Sequence, residues 1–321
     1  SHRSGIVFLM AVVQARRGET IEFAICLKGG HEVEQLRGIY PALQATFFQN
    51  GEVDVDSMRR QVEHCINAGT HGVVFPVMGG ELFYLSEPEH QTLVEAVVET
   101  AKGRVPVVAG VAAPSSRQAV QKARHAARIG ADAVIALPPY MQYADEAEIR
   151  AYYQAISETG DMPIFIQHSW PGMSPDFMAN LMREFDNIRY IKEETPPSGQ
   201  SISAAIAAAG DECLGVFGGS HGYWMIPEMR RGATGFIPAA QCTEVYVAIW
   251  DSYQAGDEDR ARKIYADLRP LLDLVFYHGL RLCKEVLVRR GVIQSARMRK
   301  TNVPAIDEYD QHELTIALKT L

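Results

Sequence analysis

Nothing in this 321-residue sequence is built to hold a polyanion, to cross a bilayer or to fold on a disulfide frame. Basic residues are outnumbered, 31 Lys+Arg to 39 Asp+Glu, for a formal net charge of −8. No segment gathers the basic face that a nucleic-acid binder presents. No apolar run approaches the roughly 20 residues that span a bilayer. The two N-terminal apolar stretches, residues 5–13 and 21–27, are far shorter. Arg3 ahead of the first stretch has the look of a secretory leader. Arg16 and Arg17 follow at once, however, and no convincing small-residue cleavage site accompanies them. The five cysteines, Cys26, Cys65, Cys213, Cys242 and Cys283, are scattered, odd in number and free of CxxC spacing. That excludes a disulfide framework and a zinc cage, and points to reduced thiols in a cytoplasmic enzyme. A GxGxxG run after the first strand is missing, so a dinucleotide-binding sheet loses its main support. Low-complexity linkers are missing too.

What the sequence does contain is a long alternation. Hydrophobic residues make up 47% of the chain, which suits a large core. Short apolar runs with strand character fall at residues 38–46, 72–77, 105–110, 133–137, 163–167, 188–192, 214–217 and 234–238. Between them, helical periodicity covers 54–68, 87–101, 115–129, 145–158, 174–185, 201–209 and 222–231. Ser86 before Glu87-Pro88-Glu89 and Ser174 before Pro175-Asp176 are helix starts, and Gly69 and Gly130 are helix stops. Eight βα units predict an α/β fold, a closed (β/α)8 TIM barrel. Further helical stretches at 244–254, 257–277, 280–290 and 311–321 predict a C-terminal helical extension. The expected organisation is an N-terminal appendage at 1–36 (an extra strand pair or an oligomer arm), a barrel at 37–241 and the extension at 242–321.

Active sites of such barrels lie at the C-terminal ends of the strands. One of those ends carries a lysine, in Tyr190-Ile191-Lys192-Glu193-Glu194-Thr195. Alternate strand residues share a face. Ile191 suits the layer between strands and helices, so Lys192 and Glu194 are expected to face the barrel interior. Two readings of Lys192 follow: an amine nucleophile toward a ketone, or a structural ion pair with Glu194. Gly79 and Gly80, after the second strand, either offer main-chain N–H groups to a carboxylate or make a tight turn. Gly218 and Gly219 are expected to admit a substrate chain beside Ser220 and His221. Gln167 is a candidate to hydrogen-bond a hydroxyl. His168 is either an acid–base group or a loop histidine, and Tyr140 either a substrate contact or a rim-packing residue. Glu81 is read as a buttress of its loop and Thr234 as structural. The acidic residues and histidines do not converge on a metal set, so no metal and no other cofactor is expected.

Between Gly38 and Arg297 a set of motifs stands in a definite order: Thr46-Phe47 with Asn50-Gly51-Glu52-Val53-Asp54, Gly80-Glu81 with Leu85-Ser86, and Val105-Pro106-Val107-Val108-Ala109-Gly110. Gly130-Ala131-Asp132-Ala133 running into Pro138-Pro139-Tyr140, Met162-Pro163-Ile164 and Ile191-Lys192-Glu193 follow. Their order and spacing resemble the dihydrodipicolinate synthase / N-acetylneuraminate lyase superfamily. The resemblance implies class I chemistry, with Lys192 as the Schiff-base lysine for a small 2-keto acid, no nucleic-acid or membrane partner, and a homo-oligomer, dimer or tetramer.

Departures from the synthase pattern narrow the reading. Met78 and Gly79 stand where the synthase has two threonines, and Gln167 or His168 where it has a proton-relaying tyrosine. Met141 replaces the second tyrosine of the fourth-strand motif, and Gly172-Met173-Ser174 replaces an arginine. The Lys-x-Glu-Thr run with a nearby glutamine is similar to members that dehydrate 2-keto-3-deoxyarabonate. Catalytic roles therefore fall to Lys192 as Schiff base and Glu194 as proton carrier, with His168 as a further acid–base candidate. Dehydration of a 2-keto-3-deoxy sugar acid is the expected reaction. Retro-aldol release of pyruvate, or a synthase-like condensation, is the alternative within the same chemistry. A non-catalytic keto-acid sensor is the alternative outside it.

Overall fold

The computed structural model describes the backbone of three N-terminal strands and, in full, residues 35–169 and 172–321. The chain divides into two compact units, Ser1–Arg37 and Gly38–Leu321. In the first, β1 (Val7–Gln14), β2 (Thr20–Lys28) and β3 (His31–Val33) form an antiparallel sheet in the order β1-β2-β3. Cys26 lies among residues whose side chains are not described. Cys65, Cys213, Cys242 and Cys283 are free thiols.

The second unit is the expected barrel. Its strands are β4 (Gly38–Ile39), β5 (Val73–Phe75), β6 (Val107–Gly110), β7 (Ala133–Ala136), β8 (Ile164–His168), β9 (Ile188–Glu193), β10 (Gly215–Gly218) and β11 (Gly235–Phe236). They lie in the parallel order β4-β11-β10-β9-β8-β7-β6-β5. The ring closes between its two ends through Leu43 N–H to Val74 O and Val74 N–H to Pro41 O, both 3.0 Å. The first strand was expected to run to residue 46, but regular pairing stops at Ile39. Pro41 has no N–H to give the ladder, and beyond it only single bridges join Ala42 to Val74 and to Ala239.

The helices between strands are α1 (Val55–Asn67), α2 (Glu87–Ala101), α3 (Ser116–Ile129), α4 (Glu146–Ser157), α5 (Pro175–Glu184), α6 (Ser198–Ala209) and α7 (Met225–Met229). Their starts follow side-chain chemistry that the sequence already displays. Ser86 and Glu89 form a reciprocal capping box on α2, and Ser174 caps α5 ahead of Pro175. Then α8 (Thr243–Gln254), α9 (Glu258–His278), α10 (Leu280–Arg289) and α11 (Glu308–Leu318) build the C-terminal extension. Among the described residues no helix is long and apolar enough to cross a membrane.

Inside the barrel the side chains form layers. Tyr40, Phe165, Tyr190 and Phe217 meet there, with ring centroids 4.5 Å apart for Phe165 and Tyr190, 5.2 Å for Phe165 and Phe217, and 5.4 Å for Tyr40 and Phe217. Four large rings fit because neighbouring strands supply glycine. A Cβ on Gly72 would lie 2.1 Å from the Tyr40 ring, and one on Gly235 would lie 2.4 Å from the Phe217 ring. Two residues along each strand, on the same face, come Ala42, Gln167, Lys192 and Gly219. The aromatic layer is thus the floor beneath Lys192. Phe217→Ala is expected to cost about 3–5 kcal/mol of stability. A lowered urea midpoint with an unchanged slope would show it, and a loss below 1 kcal/mol would mean that the floor collapses to refill the space.

Candidate active site

Strand β9 delivers two carboxylates and a lysine in alternating directions. Lys192 is only 3% exposed, and its register partners are Gln167 on β8 and Phe217 on β10. Its Nζ lies 3.0 Å from Glu194 Oε2. The expected inward pair is therefore formed, although Glu194 sits one residue past the end of the strand. Gln167 Nε2 donates to the same Oε2 at 3.2 Å, and the main-chain N–H of Ser220 donates to Oε1 at 3.0 Å. Burial on its own raises the pKa of Glu194. The Lys192 charge and these hydrogen bonds outweigh it and hold the carboxyl below its ordinary value of 4.5. The group is a carboxylate at neutral pH.

Ser220 and His221 reach this position by a strained turn. Both are non-glycine residues in the left-handed region, at φ 49° and 57°. That conformation is unfavourable, and it aims the Ser220 N–H at Glu194. The imidazole of His221 lines the same cavity. Burial lowers its pKa; Glu194 opposes the effect and Lys192 adds to it.

The cavity holds about 190 Å³. Lys192, Glu194, Ser220 and His221 make its polar side. Ala42, Met78, Gly79, Ile237, Pro238, Ala239 and Leu280 make the rest. This space has an amine and a carboxylate on one wall and hydrocarbon on the other. Among the described residues no three His, Cys, Asp or Glu side chains are grouped to hold a metal ion.

Several expected contacts fall elsewhere. Gly79 lines the cavity, but the N–H of Gly80 is committed to Val77 O at 2.7 Å, so Gly80 serves the tight turn. Gly219 does not open a path for substrate: a Cβ there would meet Glu194 Cγ and Oε1 at 2.4 Å. Its missing side chain makes room for the carboxylate. Gly218 points the other way, toward Glu228 Oε2 and the Phe236 ring. Tyr140 is a rim residue, half-buried with its ring 4.8 Å from that of Phe83.

His168 is also outside the cavity. Its register partner is Glu193, and both project from the outer face of the barrel. The Nε2 atom accepts the N–H of Met173 at 2.7 Å, so the ring proton sits on Nδ1 and is donated to Glu193 Oε2 at 2.6 Å. Glu193 Oε1 in turn accepts the N–H of Thr195 at 2.7 Å. With both ring nitrogens engaged, His168 has no free nitrogen for a substrate proton. The lining residues that sequence reasoning did not find are apolar: Ala42, Ile237 and above all Leu280. Nothing in the pattern of a C-terminal helix signals that one of its leucines will meet the mouth of the barrel.

Residues 35–321 match the model of the dihydrodipicolinate synthetase family. The chain is 29% identical over 270 residues to the L-2-keto-3-deoxyarabonate dehydratase of Azospirillum brasilense, covering 82% of this chain and 87% of that one. It is 34% identical over 269 residues to the 4-hydroxy-tetrahydrodipicolinate synthase of Rhodopseudomonas palustris, covering 80% and 88%. Its fold is similar to a crystal structure of a dihydrodipicolinate synthase, with a TM-score of 0.80 at 26% identity over 88% of this chain and 98% of the other.

Behind the site, Glu228 is 1% exposed; it accepts a hydrogen bond from Ser198, and its Oε2 has no hydrogen-bond partner among the described residues. Burial pushes this carboxyl up to about 7, with Ser198 opposing and Glu193 and Glu194 adding. The folded protein thus holds this proton more tightly than the unfolded chain. Its contribution to stability is full below the ordinary value of 4.5, is lost as pH rises to about 7 and stays flat above. Glu228→Gln removes the titration. Relative to the parent, the variant is expected to gain on the order of 3 kcal/mol between pH 4.5 and pH 8. Urea unfolding at both pH values measures this, and a constant difference between the two proteins would contradict it.

Proposed function

Because the chain belongs to the dihydrodipicolinate synthetase family, a lyase superfamily, we propose that it works through a Schiff base on Lys192 and dehydrates a 2-keto-3-deoxy sugar acid. The observation that carries this reading is the Lys192–Glu194 pair, 3.0 Å apart, in a small cavity at the barrel mouth.

The amine of Lys192 attacks C2 of the keto acid, a C–N bond forms, and the carbonyl oxygen leaves as water. The iminium acidifies the protons on C3. Glu194, held as a carboxylate, takes one of them to give an enamine. The electron pair then expels the neighbouring hydroxyl, and Glu194 returns the proton so that the hydroxyl departs as water. For a pentonate, loss of a C5 proton and protonation at C3 turn the conjugated imine into the enol of an aldehyde, and hydrolysis of the imine then releases the 2-keto semialdehyde and frees Lys192. Gln167 keeps Glu194 in place from β8, and in this reading His221 hydrogen-bonds a substrate hydroxyl. The substrate carboxylate lies against the main chain of the Met78–Gly79 turn. His168 holds Glu193 and takes no part in the chemistry. We expect a cytoplasmic homo-oligomer, a dimer or tetramer, that needs no metal or other cofactor.

A second reading, retro-aldol cleavage or condensation through the same iminium, is favoured by the synthase relatives at 34% identity. Against it stand Met78, Gly79 and Gln167, at the positions where the synthase pattern has hydroxyl-bearing residues. The third reading, a keto-acid sensor, keeps the pocket and drops the turnover.

Lys192→Ala is expected to abolish the borohydride-trapped adduct with 2-keto acids, read by intact-protein mass. Glu194→Gln should still be trapped, with turnover lowered by about 10²–10⁴; unchanged turnover would rule out the proton-carrier role. Semialdehyde product without pyruvate supports dehydration, whereas pyruvate release identifies the aldolase. If no keto acid of a broad panel yields an adduct, both enzyme readings fail.

A further inference from the structure

The turn that lines the cavity at Met78 and Gly79 is held from behind by a buried ion pair reaching out of the C-terminal extension. Lys284 on α10 is 1% exposed. Its Nζ donates to Glu81 Oε2 at 2.6 Å and to the carbonyl oxygen of Arg297 at 2.8 Å, and lies 4.7 Å from the centre of the Phe47 ring. The other oxygen of Glu81 accepts the main-chain N–H groups of Arg299 at 3.0 Å and Lys300 at 3.3 Å. Every one of these partners of the Glu81 carboxylate lies more than 200 residues away in sequence.

Glu81 is in turn rigidly joined to the cavity. It occupies the left-handed region at φ 53°, and its N–H donates to Met78 O at 3.2 Å. Fixing its carboxylate therefore fixes the turn. The same helix also touches the turn directly. Leu280 stands one helical turn before Lys284, on the same face. It lines the cavity, and a Cβ on Gly79 would lie 3.9 Å from it.

We propose that Lys284 and Glu81 are positioning residues for substrate binding: the C-terminal extension, through this pair and Leu280, sets where the Met78–Gly79 main chain meets the carboxylate of the keto acid. This rests on the Schiff-base reading above and on the placement of the substrate carboxylate at that turn. A buried ion pair is a poor device for stability alone, since apolar residues of the same volume serve as well or better. Its directional bonds do what an apolar contact does not: they hold one register of the turn against sliding. Neither charge enters the cavity, so the pair acts through the turn and touches no reacting atom.

The test compares borohydride trapping of pyruvate with that of its methyl ester, which presents the same ketone without the anionic carboxylate. Lys284→Met is expected to raise the half-saturating concentration for pyruvate roughly tenfold, leave the maximal extent of trapping within about twofold, and move the ester little. Should that variant fail to fold with a lone buried carboxylate, Lys284→Met/Glu81→Gln leaves no unpaired charge. It also keeps an amide oxygen for the Arg299 and Lys300 N–H groups, and the same selective loss is expected. An unshifted half-saturation for pyruvate, or equal shifts for acid and ester, would overturn the positioning role. Absence of any adduct in the parent protein sinks the Schiff-base reading and this inference with it. An adduct in the parent with unshifted variants sinks only the inference.

Discussion

The contact on which the site depends is an ammonium and a carboxylate two residues apart, Lys192 and Glu194, turned to the same side of one strand. Neither group is tolerable alone at that depth. Together they are satisfied, and the rest of the barrel mouth is arranged around the carboxylate. Gln167 and the Ser220 N–H complete its hydrogen bonds, Gly219 vacates the volume it occupies, and the left-handed turn at Ser220–His221 is held in a conformation that only surrounding structure sustains. Below the lysine, four buried aromatic rings pack into a floor across the barrel interior. The burial that makes Lys192 a candidate nucleophile is therefore a property of the fold as a whole.

Strand parity separates two chemistries on one strand. On the inner face, Lys192 and Glu194 meet the cavity. On the outer face, Glu193 accepts hydrogen bonds from His168 Nδ1–H and the Thr195 N–H, and Glu228 stands nearby beneath Gly218. The outer set is closed, with donors and acceptors matched except at Glu228 Oε2, and it fixes the end of β9 against β8. The inner set is open toward a space that a ligand can fill. Two glutamates adjacent in sequence thus divide into a strut and a cavity-lining group, and the pleat of the strand makes the division.

Most of this is legible in the sequence. The eight strand runs, the helix caps at Ser86 and Ser174 and the inward direction of Lys192 and Glu194 follow from periods of 3.6 and 2 and from the chemistry of helix ends. The period of two also carried information about β8: with Ile164 and Ile166 turned to the helices, Phe165 and Gln167 must turn inward, which sets His168 on the outer face. What was not legible were properties of contact rather than of pattern. A pair of glycines after a strand reads as open space, but the space at Gly219 is filled by a carboxylate and that at Gly218 by another. The early end of the first strand at Ile39 depends on one missing N–H, at Pro41. The part played by Leu280 needs the path of a helix that begins more than forty residues after the last barrel strand.

That last point bears on how such a barrel holds a small, charged substrate. The strands supply a rigid frame, and their ends place Lys192, Glu194 and Gln167 with the accuracy of the ladder. The turn after β5 has no such support, because Met78–Gly80 makes a short 3-10 turn closed by the Gly80 N–H on Val77 O and the Glu81 N–H on Met78 O. Under the proposed placement of the substrate carboxylate, such a surface needs a second anchor. Here it comes from the far end of the chain, as a buried cation on α10 and two main-chain N–H groups gripping one glutamate. The extension is therefore continuous with the active site in a physical sense. Its position decides where one wall of the cavity stands, while the barrel decides where the chemistry stands.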